Sequence, residues 1–297
     1  MRIGLVGATG VGKTGLALEL ARAEPRLALF SCDSMAVYRG MDLGTAKPGA
    51  EQLAGLAYRL VDLADPGEEF SVADYQRAAE AAEAALEPGQ VALYVGGTGL
   101  YVSAIFDRLA IPPSDPEARA SIEAELAVAG AAEMHRRLAE ADPLAASRIE
   151  PGNARRIVRA LEVISITGRR FSSFGPGLSA YHEPGGRLFG LQMDFELLDR
   201  RIEARVTELL ELGWLEECER LLEAGPLSRT ASQAIGYQEL FSVVRGETGL
   251  AEAVPAIVRR TRRLARRQRS WFRRDPRISW YDDPAELGME LLELLRA

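Results

Sequence analysis

A short apolar run at residues 3–6 leads straight into "GATGVGKT", residues 7–14, and then into a helical pattern at 14–23. This stretch constrains the fold more than any other. It matches G-x-x-x-x-G-K-[ST] in full, and it sits between a strand and a helix, the context the pattern requires. Its glycines let backbone N–H groups turn inward around an anion, and the helix N-terminus adds partial positive charge. Gly7, Ala8, Thr9, Gly10, Val11, Gly12, Lys13 and Thr14 are therefore the expected phosphate cradle. Lys13 would neutralise bridging oxygens, and the Thr14 hydroxyl would ligate a magnesium ion.

Two more apolar runs follow, "LALF" at 27–30 and "VALYV" at 91–95, each near-continuous and each bounded by turn residues. An alanine-rich helix is expected at 71–87, with Ser71 as its cap. Strands of this kind alternating with helices predict an α/β fold: a P-loop NTPase-like parallel sheet core flanked by helices on both faces. The texture changes at "IPPSDPEAR", residues 111–119. We expect a helical insertion domain at 112–186, with two short helices within 117–140, another at 153–167 and a Gly/Pro-rich loop at 174–187. The catalytic core would then be 1–111 with 187–297. Its second half should hold a strand at 187–194, an amphipathic helix at 197–224 ended by Gly225-Pro226, and a basic helix at 251–274.

No apolar run approaches the roughly 20 residues needed to span a bilayer, and the chain opens directly onto a strand. A cytoplasmic, monomeric protein without a membrane partner is expected. Cys32 and Cys218 make neither a disulfide framework nor a zinc site, so each reads as a small buried apolar residue. The only histidines, His135 and His182, read as structural or surface residues, which argues against histidine catalysis. Of 36 Lys and Arg, only Lys13 and Lys47 are lysine. Lys13 suits a compact ammonium on a flexible stem. The net charge of −7 argues weakly against a nucleic-acid partner, but nine arginines and no acid lie between Arg259 and Arg274. That segment carries the partner question.

The phosphate loop alone would fit nucleotide hydrolysis, which needs an acid ending a sheet strand. The run at 91–95 ends on glycines instead, and the acid is Asp33, after the run at 27–30. Ligands bind at the carboxyl ends of strands in open α/β sheets, so Asp33 is placed to accept a proton from a nucleophile. The alternative is a turn residue or helix cap.

"GATGVGKT", "DSMAVYRGMDLGTAKP" at 33–48 and "VGGTGLY" at 95–101 closely resemble the tRNA dimethylallyltransferase family, as do "RRIVRALEV" at 155–163, "SQAIGYQE" at 232–239 and "RRQRSWFRR" at 266–274. The blocks cover most of the chain in the family's order. The resemblance implies transfer of a prenyl group from dimethylallyl diphosphate to the exocyclic amine of the adenosine at tRNA position 37. It implies that the phosphate loop holds the diphosphate leaving group, with Mg2+ and without ATP. It casts Asp33 as general base and Thr98 as the residue that orients the amine. It implies tRNA contacts at Asp33, Ser34, Met35, Ala36 and Thr98, and at Arg119, Arg155, Arg156 and Arg159 on the anticodon arm. It adds Gln233, Gly236 and Tyr237, and then Arg266, Arg267, Gln268, Trp271 and Arg273. Ala36 departs from the family, which often has Gln there.

Within the basic segment, Arg259, Arg262, Arg266, Arg269 and Arg273 recur at helical steps, while Ile257, Leu264 and Trp271 keep a seven-residue spacing that can face the core. The alternative use of those arginines is pairing with the acidic helix at 196–223. Three other functions fit this pattern less well. Prenylation of free AMP would not need the insertion or the arginine-rich tail. A small-molecule kinase with Asp33 as base would lack that tail. A non-catalytic RNA-binding protein would not need Asp33 and Thr98 around the loop.

Overall fold

The structure is a computed structural model that describes residues 1–175, 181 and 185–296. Six strands, β1 (Arg2–Val6), β2 (Leu27–Ser31), β3 (Tyr58–Arg59), β4 (Val91–Gly96), β5 (Arg187–Leu191) and β6 (Ile278–Tyr281), form one sheet in the order β3-β2-β4-β1-β5-β6. Every pairing is parallel.

The apolar runs explain the sheet. Side chains alternate across a strand, so an unbroken apolar run supplies two cores at once. Ile3, Leu5, Leu27, Leu29, Leu93 and Val95 enter the core on one face, against the phosphate-loop helix (Lys13–Ala23). Val6, Ala28, Phe30, Ala92 and Tyr94 enter the core on the other. β1 lies between β4 and β5, so the carboxyl ends of β1, β2 and β4 are neighbours, and the phosphate loop, Asp33 and Thr98 follow them.

Ser71 caps its helix (Val72–Ala84) in a reciprocal box with Asp74, the Asp74 N–H donating to Ser71 Oγ at 3.2 Å and the Ser71 N–H to Asp74 Oδ2 at 2.9 Å. Both cysteines are buried. The helix expected at 197–224 is two helices, the acidic helix (Phe195–Glu211) and Trp214–Glu223. Gly213 stands between them at φ 95°, a left-handed conformation that ends the first. β3, β6 and the helices Tyr237–Val244 and Pro284–Arg296 were not foreseen.

The chain forms two compact units, Met1–Arg108 with Tyr181–Ala297, and Leu109–Ala180. The second is helical and has its own core, in which Met134, Leu138, Ile157 and Ala160 are fully or nearly fully buried. Its run Pro116–Ala141 is two helices joined at Gly130, whose φ of 80° and ψ of 162° are non-helical and favour glycine. His135 Nε2 lies 2.8 Å from the Ile149 carbonyl and 3.1 Å from that of Ala146, a structural role. His182 and most of the segment expected as a loop at 174–187 lie outside the described residues. Among the described residues no helix is long and apolar enough to cross a membrane.

Candidate active site

The phosphate loop turns into its helix through Gly12, the N-cap, at φ 104°. A side chain there would be strained, so glycine is required. Lys13 Nζ donates to the Gly7 carbonyl at 3.0 Å and the Ala8 carbonyl at 2.7 Å, inside the loop. An ammonium has three N–H donors, so one is left for an anion. Burial pushes the Lys13 ammonium down to about 8, although Asp33 nearby favours its charge and Arg205 opposes it. A buried cation without a bound anion is costly, and a phosphate group would restore its charge.

Asp33, half-buried, follows β2. Its Oδ1 accepts the Met35 N–H at 2.8 Å, which fixes the carboxylate within its own turn. Its Oδ2 accepts no hydrogen bond from the described residues. Thr98 is the N-cap of the helix Gly99–Phe106, but its side chain does not cap it. Thr98 Oγ1 instead accepts the Ser34 N–H at 3.1 Å and lies 3.4 Å from Ser34 Oγ. The loops after β2 and β4 are thereby tied together beside Asp33, with a hydroxyl and a free carboxylate oxygen on one edge.

Two arginines missed in the sequence complete the polar surface. A Cβ on Gly12 would lie 3.8 Å from a terminal guanidinium nitrogen of Arg201. Arg205, one turn further along the acidic helix, has its pKa lowered by burial and feels the charge of Asp33. The signal was available: "RIEAR" puts these arginines at i and i+4, on one helix face.

The structure disperses the other expected contacts. Tyr237 is 1% exposed, and its hydroxyl donates to Glu217 Oε1 at 2.5 Å beneath Trp214, so its side chain is core. Gly236 is buried as well, and a Cβ there would meet the Trp214 ring at 2.1 Å. Ala36 is buried at 3% exposure, so its methyl offers nothing to a ligand. Gln233 is exposed. Ser34 and Met35 are half-buried beside Asp33.

In the helical unit, Arg119 and Arg159 turn to a fully buried carboxylate, Glu162, at 2.9 and 3.0 Å, and hydrogen bonds hold Glu162 below the usual carboxylate range despite its burial. Arg155 and Arg156 are exposed.

On the basic helix (Leu250–Phe272), the arginines divide differently from the expected stripe. Arg262 and Arg266 pair with Asp199 and Glu203 of the acidic helix, as in the alternative reading of the sequence. Arg269 donates to the Met193 carbonyl at 3.4 Å and lies over the Phe195 ring, and Arg273 bonds Gln192. Arg259, Arg263 and Arg267 are exposed and make no hydrogen bond or ion pair with the described residues. They lie at i, i+4 and i+8, a stripe of its own. The buried positions are Ala253, Ile257, Val258, Ala265 and Phe272, so the seven-residue core spacing runs through 258, 265 and 272, while Leu264 and Trp271 are half-buried. The Gln268 amide is spent between the Thr9 N–H and the Gly97 carbonyl.

No group of three or more His, Cys, Asp or Glu among the described residues could hold a metal ion. Thr14, half-buried in the first helical turn, offers one hydroxyl. Mg2+ takes one or two protein oxygens together with phosphate oxygens and water, so this donor set fits magnesium carried on a diphosphate.

Residues 36–275 match the family described as IPP transferase. The chain is 44% identical over 297 residues to the tRNA dimethylallyltransferase of Salinispora tropica, covering 99% of this chain and 92% of that protein. The crystal structure of the tRNA isopentenylpyrophosphate transferase of Bacillus halodurans superposes with a TM-score of 0.70 at 37% identity, over 99% of this chain and 95% of that one. A eukaryotic dimethylallyltransferase acting on tRNA shares the fold at a TM-score of 0.78 and 22% identity, over 99% of this chain and 77% of that one.

Proposed function

The chain belongs to the IPP transferase family, and on that premise we propose that it moves a dimethylallyl group from dimethylallyl diphosphate to the exocyclic amine of the adenosine at tRNA position 37. The observation that carries this reading is the meeting of Asp33, Thr98 and the phosphate loop at adjoining strand ends, with the Ser34–Thr98 bond of 3.1 Å holding the two acceptor-side loops together.

The chemistry is a displacement at the allylic carbon. The adenosine nitrogen forms a bond to that carbon as the carbon–oxygen bond breaks, and the electron pair leaves with diphosphate. The amine must shed a proton, and Asp33 Oδ2 is free to accept it. Thr98 Oγ1 lies where it can accept from the same amine and orient it. Charge accumulates on the departing diphosphate, where Lys13, Arg201, Arg205 and the loop N–H groups stabilise it. Magnesium, held through Thr14 and the phosphate oxygens, would add positive charge there. The target base must leave its stack to reach this edge. The exposed stripe Arg259, Arg263 and Arg267 supplies cations for an RNA backbone, and Arg155 and Arg156, on the helical unit by itself, supply cations for the anticodon arm. We take the enzyme to work as a cytoplasmic monomer, because its tRNA substrate is cytoplasmic and one chain carries every group invoked here.

The test is incubation of the purified protein with magnesium, dimethylallyl diphosphate and an unmodified tRNA bearing adenosine at position 37, with parallel reactions on AMP. Mass spectrometry of the digested RNA should find isopentenyladenosine, with AMP untouched. Prenylated AMP with unmodified tRNA would overturn the reading.

A further inference from the structure

Gln268 lies on the basic helix, in a segment whose resemblance implies RNA contact, yet both ends of its amide face inward. Its Oε1 accepts the Thr9 N–H of the phosphate loop at 2.8 Å, and its Nε2 donates to the Gly97 carbonyl at 3.0 Å. The partners fix the orientation of the amide, since an N–H requires the oxygen and a carbonyl requires the nitrogen. The approach is close. A Cβ on Gly97 would lie 2.3 Å from Gln268 Nε2, and a Cβ on Gly99 would lie 2.2 Å from Trp271 Nε1. Two side chains one turn apart thus press on the backbone on either side of Thr98, and glycine at 97 and 99 makes room for them.

One residue therefore touches both halves of the site: the loop that cradles phosphate and the segment that presents Thr98. We propose that Gln268 is a positioning residue that fixes the phosphate cradle against the acceptor-orienting loop, so that the allylic carbon and the amine meet at reacting distance. This deepens the prenyl-transfer reading and rests on it. The physical ground is that reacting atoms must be held about 3–3.5 Å apart, and a misplacement of about 1 Å can cost about 100-fold in rate. Lys13 braces the loop from within, through the carbonyls of Gly7 and Ala8. Gln268 braces it from outside and is the side chain that links it to Gly97.

The experiment uses the full chain with Gln268→Met, similar in length but without either hydrogen bond, and Gln268→Glu, which keeps an acceptor for Thr9 but no donor for Gly97. Turnover, KM for both substrates, and direct binding of tRNA and of inorganic diphosphate are measured. Gln268→Met should lower kcat by about 10- to 100-fold and weaken diphosphate binding at least threefold, with tRNA binding within about threefold of wild type. Gln268→Glu should move the same quantities in the same direction, and it decides the matter if the methionine variant does not fold. Weakened tRNA binding with unchanged kcat would overturn the proposal and make Gln268 an RNA contact. Unchanged kcat and diphosphate binding would overturn it as well. If the wild-type protein prenylates no tRNA, the proposed reaction fails, while diphosphate binding still decides whether Gln268 braces the loop.

Discussion

The chain keeps lysine at two positions, and the two do different things. Lys47 donates to the Tyr38 carbonyl at 2.6 Å, to Asp42 at 2.8 Å and to Asp62 at 2.6 Å, clipping the loop after β2. Lys47→Met should cost about 2 kcal/mol in urea unfolding and leave diphosphate binding unchanged, since none of the acceptors it strands belongs to the phosphate loop. Lys13 is the one proposed to hold the diphosphate, and its pH dependence has a definite sign. Burial lowers its pKa to about 8, so in the free protein the ammonium is lost as pH rises through about 8. A bound anion restores it, so binding takes up a proton above that pH. The affinity for inorganic diphosphate should therefore fall between about pH 8 and 10 in calorimetric titrations, even though the ligand itself gains charge there. A constant or rising affinity would mean that Lys13 does not pair with the anion. The spacing of "GATGVGKT" made Lys13 legible. "SQAIGYQE" did not show that the Tyr237 side chain is buried on Glu217, because a motif match gives the order of residues along the chain and not which way a side chain points.

At the scale of the element, the basic helix was legible as amphipathic, but its faces were not. Which arginines are free depends on a second helix, whose Asp199 and Glu203 take up Arg262 and Arg266. Sequence periodicity cannot register that pairing. The expected consequence is a split between neighbours. Arg267→Ala should reduce the slope of log tRNA affinity against log salt by about 1, as for a lost phosphate contact. Arg266→Ala should reduce it by less, because its charge is spent on Asp199. Equal effects would place Arg266 on the RNA. The break at Gly213 was missed for a related reason. A glycine inside an apolar-periodic run is tolerated in many helices, and here its positive φ ends one.

For the whole molecule, the parallel sheet followed from three near-continuous apolar runs, each feeding two cores. The edge strands did not follow, because β3 has only two residues, Tyr58 and Arg59, and β6 is half exposed, so neither carries a buried run. The helical unit was legible as a change of texture. Its central polar feature was not, since Arg119 and Arg159 meet Glu162 only once the helices pack. Glu162→Ala leaves the Arg119 guanidinium and the Asp115 N–H without their acceptor and removes the ion pair of Arg159, which keeps the Pro112 and Pro113 carbonyls, and should lower the unit's stability by about 3 kcal/mol. The Glu162 pKa is depressed in the folded chain, so its contribution is complete above the ordinary carboxylate range and is lost as pH falls through the folded value. Wild type and Glu162→Ala should therefore converge in stability under acid; a constant difference would mean that packing, not charge, is what the substitution removes.

Asp33 is proposed as the proton acceptor beside a diphosphate cradle. Single-turnover transfer by Asp33→Asn, with donor and tRNA saturating and both affinities measured, tests it most directly. The expected result is a loss of about 100- to 10,000-fold in transfer rate, with tRNA and diphosphate bound as in wild type. Transfer within a few-fold of wild type would contradict the account, and equal loss of tRNA binding would make Asp33 an anchor for the acceptor and not its base.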